Sequence, residues 1–227
     1  MRLSILIPVY NEKSTILKVI KEVEKVKLPN KLKKEIIIVD DYSTDGTREI
    51  LKKIKNYKIL YHDKNKGKGS AIRTGLGCAT GDIILIQDAD LEYSPTEYPN
   101  LLKPILANKT EVVYGSRFIQ KHEPRYKLYY FGNLLLTWMT NILFGSKISD
   151  METCYKVFTK KVLKDIKLKA RRFDFEPEIT AKILRIGYSI LEVPITYKSR
   201  KISEGKKISW KDGIMAAYYL VRYRFLD

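Results

Sequence analysis

Two cysteines and two histidines in 227 residues leave almost nothing from which to build a Cys/His zinc site. Cys78 and Cys154 are far apart and show no Cys-x-x-Cys spacing. One disulfide could join them, but reduced thiols in a cytoplasmic protein are the simpler reading. No secretory leader is expected. The first apolar run, Leu3 to Val9, is short and is followed at once by Asn11, Glu12 and Lys13. No apolar run is long enough to span a bilayer. Leu128 to Ser146 carries no charge, but Asn133, Thr137, Thr140, Asn141 and Gly145 interrupt it. There is no internal repeat and no low-complexity linker. Acidic residues are few beside basic ones, 26 against 43, for a net charge of +17. That balance suits an anionic partner, whether nucleic acid, a phosphate-rich ligand or an acidic membrane surface. Hydrophobic residues make up 44% of the chain, which excludes disorder. The length predicts one globular domain, 1–227, with a core that needs no disulfide or metal.

What is present alternates between two periods. Leu3 to Val9 reads as a buried strand, followed by a helix over Ser14 to Val26 with Ser14 as its N-cap. Glu35 to Asp40 is apolar almost throughout, as a central parallel strand should be. A helix from Thr44 to Ile54, a strand at Lys58 to Tyr61 and a helix from Gly69 to Ala79 come next. Asp82 to Asp88 predicts a strand, Pro95 to Ala107 a helix and Glu111 to Tyr114 a strand. Residues 1 to 115 thus predict an α/β fold, a mostly parallel central sheet with helices on both faces and ligands at the carboxyl ends of its strands. The second half is less regular. It holds the uncharged segment, a mixed stretch 148–170, a helix near 176–186, a strand at 190–197, a basic loop and a last helix from Ile214 to Leu226.

Acidic residues cluster where the strands end. The clusters are Pro8-Val-Tyr-Asn-Glu12, Val39-Asp-Asp-Tyr-Ser-Thr-Asp-Gly-Thr47 and Gln87-Asp-Ala-Asp-Leu-Glu92. An Asp-x-Asp triplet alone says little. Two carboxylates on a tight turn after so apolar a strand repel each other unless a cation lies between them. Hard oxygen ligands suit Mg²⁺ or Mn²⁺, held together with phosphate oxygens. Asp41 could accept from a base or a ribose. Asp45 could do no more than start a helix, or could share that role with the site. The loop Lys64-Asn-Lys-Gly-Lys-Gly-Ser70 resembles a phosphate cradle at a helix start, but its spacing is not that of a Walker A motif. Glu176 and Glu178 flank Pro177 at a helix start, where carboxylates suit the dipole; reading sugar hydroxyls is the alternative role.

Together, Ile7-Pro-Val-Tyr-Asn-Glu12, Val39 to Thr47, Asn65-Lys-Gly-Lys-Gly-Ser-Ala71 and Gln87-Asp-Ala-Asp-Leu91 resemble the successive motifs of family-2 glycosyltransferases with a GT-A fold. The nearest likeness is to polyprenyl-phosphate glycosyltransferases of the dolichyl-phosphate mannose synthase type. It continues through Tyr114-Gly-Ser-Arg-Phe118, Ser149-Asp150, Pro194 to Arg200 and Glu204-Gly-Lys206, and so covers essentially the whole chain. The resemblance implies a Rossmann-like nucleotide-sugar-binding half over 1–115 and an acceptor-side half over 116–227. It implies that Pro8, Tyr10 and Glu12 line the nucleotide pocket with Val39 and Asp41. Asp88 and Asp90 would face the sugar diphosphate and its Mg²⁺ or Mn²⁺, with Ala89 giving backbone contact. Arg117, Arg200 and Lys206 would hold phosphates. The implied reaction is an inverting hexose transfer from a GDP- or UDP-linked donor, GDP-mannose first and UDP-glucose next, to a polyprenyl phosphate. Such an acceptor is already anionic and needs no general base, which fits the absence of a convincing catalytic histidine; neither His62 nor His122 is placed in the site. A sugar-hydroxyl acceptor would need a base, and Asp150 is the candidate, with Glu152 beside it. Asp150 could equally cap the next segment or pair with a basic residue.

Two departures narrow the reading. There is no Gln-x-x-Arg-Trp, the pattern of processive synthases, and the carboxyl-terminal membrane helices common in relatives are not expected before Asp227. Access to lipid would come instead from the uncharged segment. Leu128, Phe131, Leu134, Leu135, Trp138, Met139, Ile142 and Leu143 recur at spacings of three and four. A core helix shows the same stripe. Here Tyr126, Tyr129, Tyr130 and Trp138 add an aromatic belt beside Arg125 and Lys127, a composition suited to the headgroup level. The last helix repeats it with Tyr218, Tyr219, Arg222, Tyr223 and Arg224. This predicts peripheral attachment to the cytoplasmic face of an anionic membrane. A nucleotidyltransferase also pairs aspartates around a metal, but would release pyrophosphate. A nucleic-acid binder would gather its basic residues with stacking aromatics in a groove; here they are scattered, and no nucleic acid is expected.

Overall fold

A computed structural model describes residues 1–120, 125–201 and 210–226. Strands β1 (Arg2–Val9), β2 (Lys33–Asp40), β3 (Lys58–Tyr61), β4 (Ile83–Ile86), β5 (Val112–Ser116), β6 (Lys156–Thr159) and β7 (Leu191–Pro194) form one sheet. Its order is β3-β2-β1-β4-β6-β5-β7. All pairings are parallel except the two made by β6, which runs antiparallel to both β4 and β5. The sheet is therefore mixed but mostly parallel, as expected. The reversed strand lies in the stretch that the sequence left unassigned. Lys156 alternates there with Val157 and Phe158 on a run of four residues, too short to show a period.

The helices are α1 (Ile16–Lys25), α2 (Thr47–Lys52), α3 (Lys68–Leu76), α4 (Tyr98–Leu106), α5 (Lys127–Phe144), α6 (Phe175–Arg185) and α7 (Trp210–Phe225). Leu3, Ile5, Leu6 and Ile7 of β1 are all buried, because helices cover a sheet that is apolar on consecutive positions. Burying each such side chain contributes about 1.5–3 kcal/mol. α1 turns Ile16, Val19, Ile20 and Val23 inward. Its N-cap is Thr15 rather than Ser14. Thr15 makes no side-chain capping bond, because its hydroxyl donates to the Glu12 carboxylate at 2.7 Å. The main core extends from Leu3 to Ile195 through both halves of the sheet. A satellite core joins Leu136 of α5 to Ala216 and Leu220 of α7, over Ile148 and Met151.

Backbone approach constrains the loop before α3. Gly67 has φ +93°, and a Cβ there would lie 2.4 Å from the Arg171 carbonyl oxygen. The amides of Gly69 and Ser70 donate to the carbonyls of Arg172 and Arg171. By contrast, a Cβ at Gly132, exposed on α5, would meet nothing. Gly67→Ala should therefore cost about 1–3 kcal/mol in chemical denaturation, and Gly132→Ala should gain about 0.5–1 kcal/mol. Equal effects at the two positions would contradict this account of the loop.

Candidate active site

Each of the three parallel strands β1, β2 and β4 ends in a turn containing a left-handed residue: Asn11 (φ 51°), Tyr42 (φ 66°) and Leu91 (φ 64°). Asparagine tolerates that conformation. Tyrosine and leucine resist it, so the surrounding contacts must hold them there. The first two turns are laced together. Asn11 N–H donates to Ser43 Oγ, Thr44 N–H to Asn11 Oδ1 and Glu12 N–H to Thr47 Oγ1. Asp45 accepts from the amides of Lys13 and Thr47 and so has the turn-forming role. Asp41 lines the cleft, yet its carboxylate accepts from the amides of Lys66 (2.8 Å) and Gly67 (2.7 Å) and meets His62 Nδ1 at 2.7 Å. It anchors the Lys/Gly loop. His62 is structural, held between Asp41 and Thr74.

The turn after β4 rests on Gln87, which is wholly buried and fully bonded. Its amide nitrogen donates to the carbonyls of Asp88 and Tyr93, and its oxygen accepts from the hydroxyls of Tyr98 and Tyr155. From this support two carboxylates reach two cations. Lys68 Nζ bridges Asp88 (2.9 Å) and Glu176 (2.8 Å). The Arg200 guanidinium bridges Asp90 (3.1 Å) and Glu12 (3.1 Å). Glu92 clamps the segment after β7, accepting from Arg200 N–H at 2.6 Å and the Tyr197 hydroxyl at 2.9 Å. Burial, then the charges of Asp88 and Glu92, push the Asp90 carboxyl up to about 7, against the pull of Arg200.

Because β6 is reversed, its beginning lies at the edge where the parallel strands end. That brings Glu152 and Cys154 into the cleft. Burial and the neighbouring Glu176 charge raise Glu152 to about 8. Lys156 is wholly buried and lowered to about 8, chiefly by burial. Its ammonium donates to the carbonyls of Met151 (2.7 Å) and Thr153 (2.8 Å) and lies over the Tyr114 ring. Arg117 completes this end. Its Nε and Nη2 each donate to Asp150 at 2.7 Å, a buried bidentate pair.

These groups surround a cleft of about 590 Å³. Pro8, Tyr10, Glu12, Asp41, Asp88, Ala89, Asp90, Arg117 and Arg200 all line it. Two expected residues do not. Val39 is buried in the sheet interior, with its methyl 3.5 Å from the position of a Cβ on Gly75. Asp150 is wholly buried and paired with Arg117. Lys206, Glu204 and His122 lie outside the described residues. Glu178 points away, capping the amides of Lys169 and Ala170 and pairing with Lys182. Lys68 and Glu92 were not expected to act in the site. The Lys/Gly loop and the acidic run Gln87–Glu92 were their only signals. Tyr126, which caps α5, and Tyr129, Tyr130 and Asn133 of α5 form one wall. The same helix exposes Leu128, Phe131, Leu135, Trp138 and Ile142, each between 56% and 79% accessible. On α7, which packs against α5, Ile214, Met215, Tyr218, Val221 and Phe225 are exposed. No helix among the described residues is long and apolar enough to cross a membrane. Both cysteines are free thiols.

Comparison with known proteins agrees with this architecture. Residues 4–167 match the model of Glycosyl transferase family 2. The chain is 32% identical over 216 residues to the UDP-N-acetylglucosamine–dolichyl-phosphate N-acetylglucosaminyltransferase of Methanococcus voltae, covering 84% of this chain and 83% of that one. It is 27% identical to the dolichol-phosphate mannosyltransferase of Pyrococcus furiosus, covering 91% of this chain and 59% of that protein. Its fold is that of glucosyl-3-phosphoglycerate synthase from Mycobacterium tuberculosis, crystallised with Mn²⁺, UDP and phosphoglyceric acid. The TM-score is 0.76 at 18% identity, over 100% of this chain and 79% of that one.

The raised Glu152 carboxyl gives a test of the cleft's electrostatics. A carboxyl raised from 4.5 to about 8 favours the protonated form in the native state. Native stability then falls as pH rises through that window, because the unfolded chain releases the proton first. Glu152→Gln lacks this slope. Its melting temperature should gain on wild type steadily between pH 5 and pH 8; a constant difference would mean that Glu152 ionises normally.

Proposed function

Because the chain belongs to glycosyl transferase family 2, we propose that it transfers a hexose from a nucleotide sugar to a polyprenyl phosphate at a membrane surface. The observation that carries this reading is the double use of α5, one face walling the polar cleft and another presenting a continuous apolar stripe to solvent. An isoprenoid tail would lie along the stripe while its phosphate enters beside Arg117 and Arg125, both of which line the cleft. Both dolichyl-phosphate enzymes named above support this acceptor. Aromatic and basic residues on α5 and α7 suit the headgroup level of an anionic bilayer.

The chemistry follows from the charges. An acceptor phosphate oxygen attacks the anomeric carbon from the side opposite the leaving group. The bond from that carbon to the diphosphate oxygen breaks, its electron pair stays on the nucleoside diphosphate, and the configuration inverts. Arg117, fixed by Asp150, would orient the acceptor phosphate, and Arg200 would meet the diphosphate. The acceptor is anionic, so no base is required. That is consistent with Asp150 being spent on Arg117, and it disfavours a hydroxyl acceptor.

The described residues contain no cluster of three His, Cys, Asp or Glu side chains arranged to hold a metal. The donor set nonetheless fits a hard divalent cation. Asp88 and Asp90 are oxygen ligands; burial first and the Asp88 charge second raise the Asp90 carboxyl, and such an ion would favour its ionised form. Mg²⁺ or Mn²⁺ held there with phosphate oxygens would supply charge stabilisation for the departing diphosphate. The Mn²⁺ and UDP of the mycobacterial synthase support the same allocation. GDP-mannose is the donor favoured by the motif resemblance, with UDP-sugars next.

A donor screen tests the reading. GDP-mannose, UDP-glucose and UDP-N-acetylglucosamine are each supplied with Mg²⁺ or Mn²⁺, with and without a short polyprenyl phosphate. Nucleoside diphosphate release should depend on the lipid, stop on chelation and fall about 10²–10³-fold in Asp90→Ala. Release indifferent to lipid would move the acceptor elsewhere. Sedimentation with acidic vesicles checks the surface. Wild type should pellet at low salt, and Leu135→Glu with Trp138→Glu should leave most protein in the supernatant. A wild type that stays in solution would remove the membrane from the proposal.

A further inference from the structure

Another cavity, of about 770 Å³, borders the cleft, and Asn65, Arg172 and Phe173 line both. The loop after β3, the segment before α6 and one face of α7 enclose it. Lys64, Lys66, Lys169, Arg171, Arg172 and Arg222 reach it, against two carboxylates, Asp174 and Asp212. Asp174 is engaged by the backbone, accepting from the amides of Arg171 (3.1 Å) and Arg172 (2.6 Å). Lys66 pairs with Asp63. The three guanidiniums, those of Arg171, Arg172 and Arg222, are exposed and make no ion pair with a described residue. Such a gathering of like charge costs stability through self-repulsion, and a bound anion removes that cost. The backbone that carries Arg171 and Arg172 is fixed in advance, because their carbonyls accept from the amides of Ser70 and Gly69.

The helix beside the basin says which anion fits. At about 100° per residue, Ile214, Tyr218, Val221 and Phe225 form one stripe of α7, and Met215, Tyr219 and Arg222 form the next stripe round. The first stripe is between 44% and 69% accessible. The second lines the basin. One helix thus presents apolar side chains and, about a quarter turn away, a cluster of cations. A soluble anion would neutralise the basin and leave the stripe in water. An anionic phospholipid satisfies both, with its phosphate at the headgroup level and its acyl chains against the stripe. Guanidinium forks match phosphate oxygens two at a time. We propose that this basin binds the phosphate of an anionic phospholipid headgroup, as a site separate from the acceptor's place in the cleft. The inference rests on the membrane reading above and names the partner for it. Because the basin shares a wall with the cleft, a headgroup held there keeps the cleft beside the leaflet that carries the acceptor.

Sedimentation of the intact protein with two kinds of vesicle tests it. Both use a neutral galactolipid carrier. One takes its negative charge from phosphatidylglycerol and the other, matched in surface potential, from oleate. Wild type should bind the phosphatidylglycerol vesicles at least five-fold more tightly. Arg171→Gln with Arg222→Gln should lose at least ten-fold on them, since each basic residue near an anionic surface is worth roughly a five-fold factor. Lys18→Gln with Lys21→Gln removes the same charge from exposed positions of α1 and should change binding less than two-fold. Lys64→Gln, on the loop after β3, should weaken binding in the same direction as the arginine pair. Equal losses in the arginine and lysine pairs would make the attraction diffuse and overturn the inference alone. So would oleate vesicles that hold the wild type as tightly as phosphatidylglycerol ones. A wild type that pellets with neither overturns the membrane reading and this inference with it.

Discussion

Carboxylates gathered at the edge of an apolar sheet must be neutralised, and in this molecule the neutralising cations come from distant parts of the chain. Asp88 and Asp90 follow β4. Their partners are Lys68, at the start of α3, and Arg200, beyond β7. Arg200 also closes on Glu12 after β1. One guanidinium thus ties together three segments that are far apart in sequence. Removing one partner of such a buried pair leaves an uncompensated charge, a penalty of about 3–5 kcal/mol. The acid cluster is therefore a folding constraint as well as a binding surface. It fixes where the segment after β7 must lie, and Glu92 reinforces that placement through the Arg200 amide and the Tyr197 hydroxyl.

The same logic operates at the other end of the cleft. Asp150 is buried without exposure and would be intolerable alone. Arg117 satisfies it with two side-chain bonds and its own backbone amide. Glu192 of β7 accepts from the amides of Ser149 and Asp150, which holds the turn that presents Asp150. What this scaffold delivers to the cleft is the outer surface of the Arg117 guanidinium, fixed in orientation and lying beside the rings of Phe118 and Tyr197. The guanidinium is pre-organised for an oxyanion before one arrives, so little ordering remains to be done on binding.

How much of this was legible follows from which signals are local. The apolar runs of β1, β2 and β4 and the acidic turns behind them are contiguous, and reading them places Glu12, Asp41, Asp88 and Asp90 at one edge. The strand β6 is four residues long and contains a buried lysine, so neither periodicity nor composition reveals it. Its reversed direction is invisible without the pairing, and with it goes the reason why Glu152 belongs to the cleft. Asp41 shows a different limit. Its position after a strand suggested contact with a ribose or base. Its carboxylate instead accepts from the amides of Lys66 and Gly67. Val39 is not among the lining residues because α3 covers it, with Gly75 directly over its methyl.

The excess of basic charge has to be located before it can be interpreted. Within the cleft, Lys68, Arg117, Arg125, Arg172, Lys198 and Arg200 face Glu12, Asp41, Asp88, Asp90, Glu92, Glu152 and Glu176. The two sets nearly cancel. The net charge of +17 therefore belongs to the rest of the molecule and does not serve the donor phosphates directly. A second basin carries Lys64, Lys66, Lys169, Arg171, Arg172 and Arg222 against only Asp174 and Asp212. It lies against α7, whose Met215 belongs both to that basin and to the exposed apolar set. Basic charge beside exposed apolar side chains is the arrangement that draws a protein to an anionic surface, since long-range attraction and short-range burial then act on one face. On the proposed reading, a cleft balanced in charge and a surface that is not would divide the work: the surface would concentrate the protein where an amphipathic acceptor resides, and the cleft, free of a large net field, would discriminate by the position of each group.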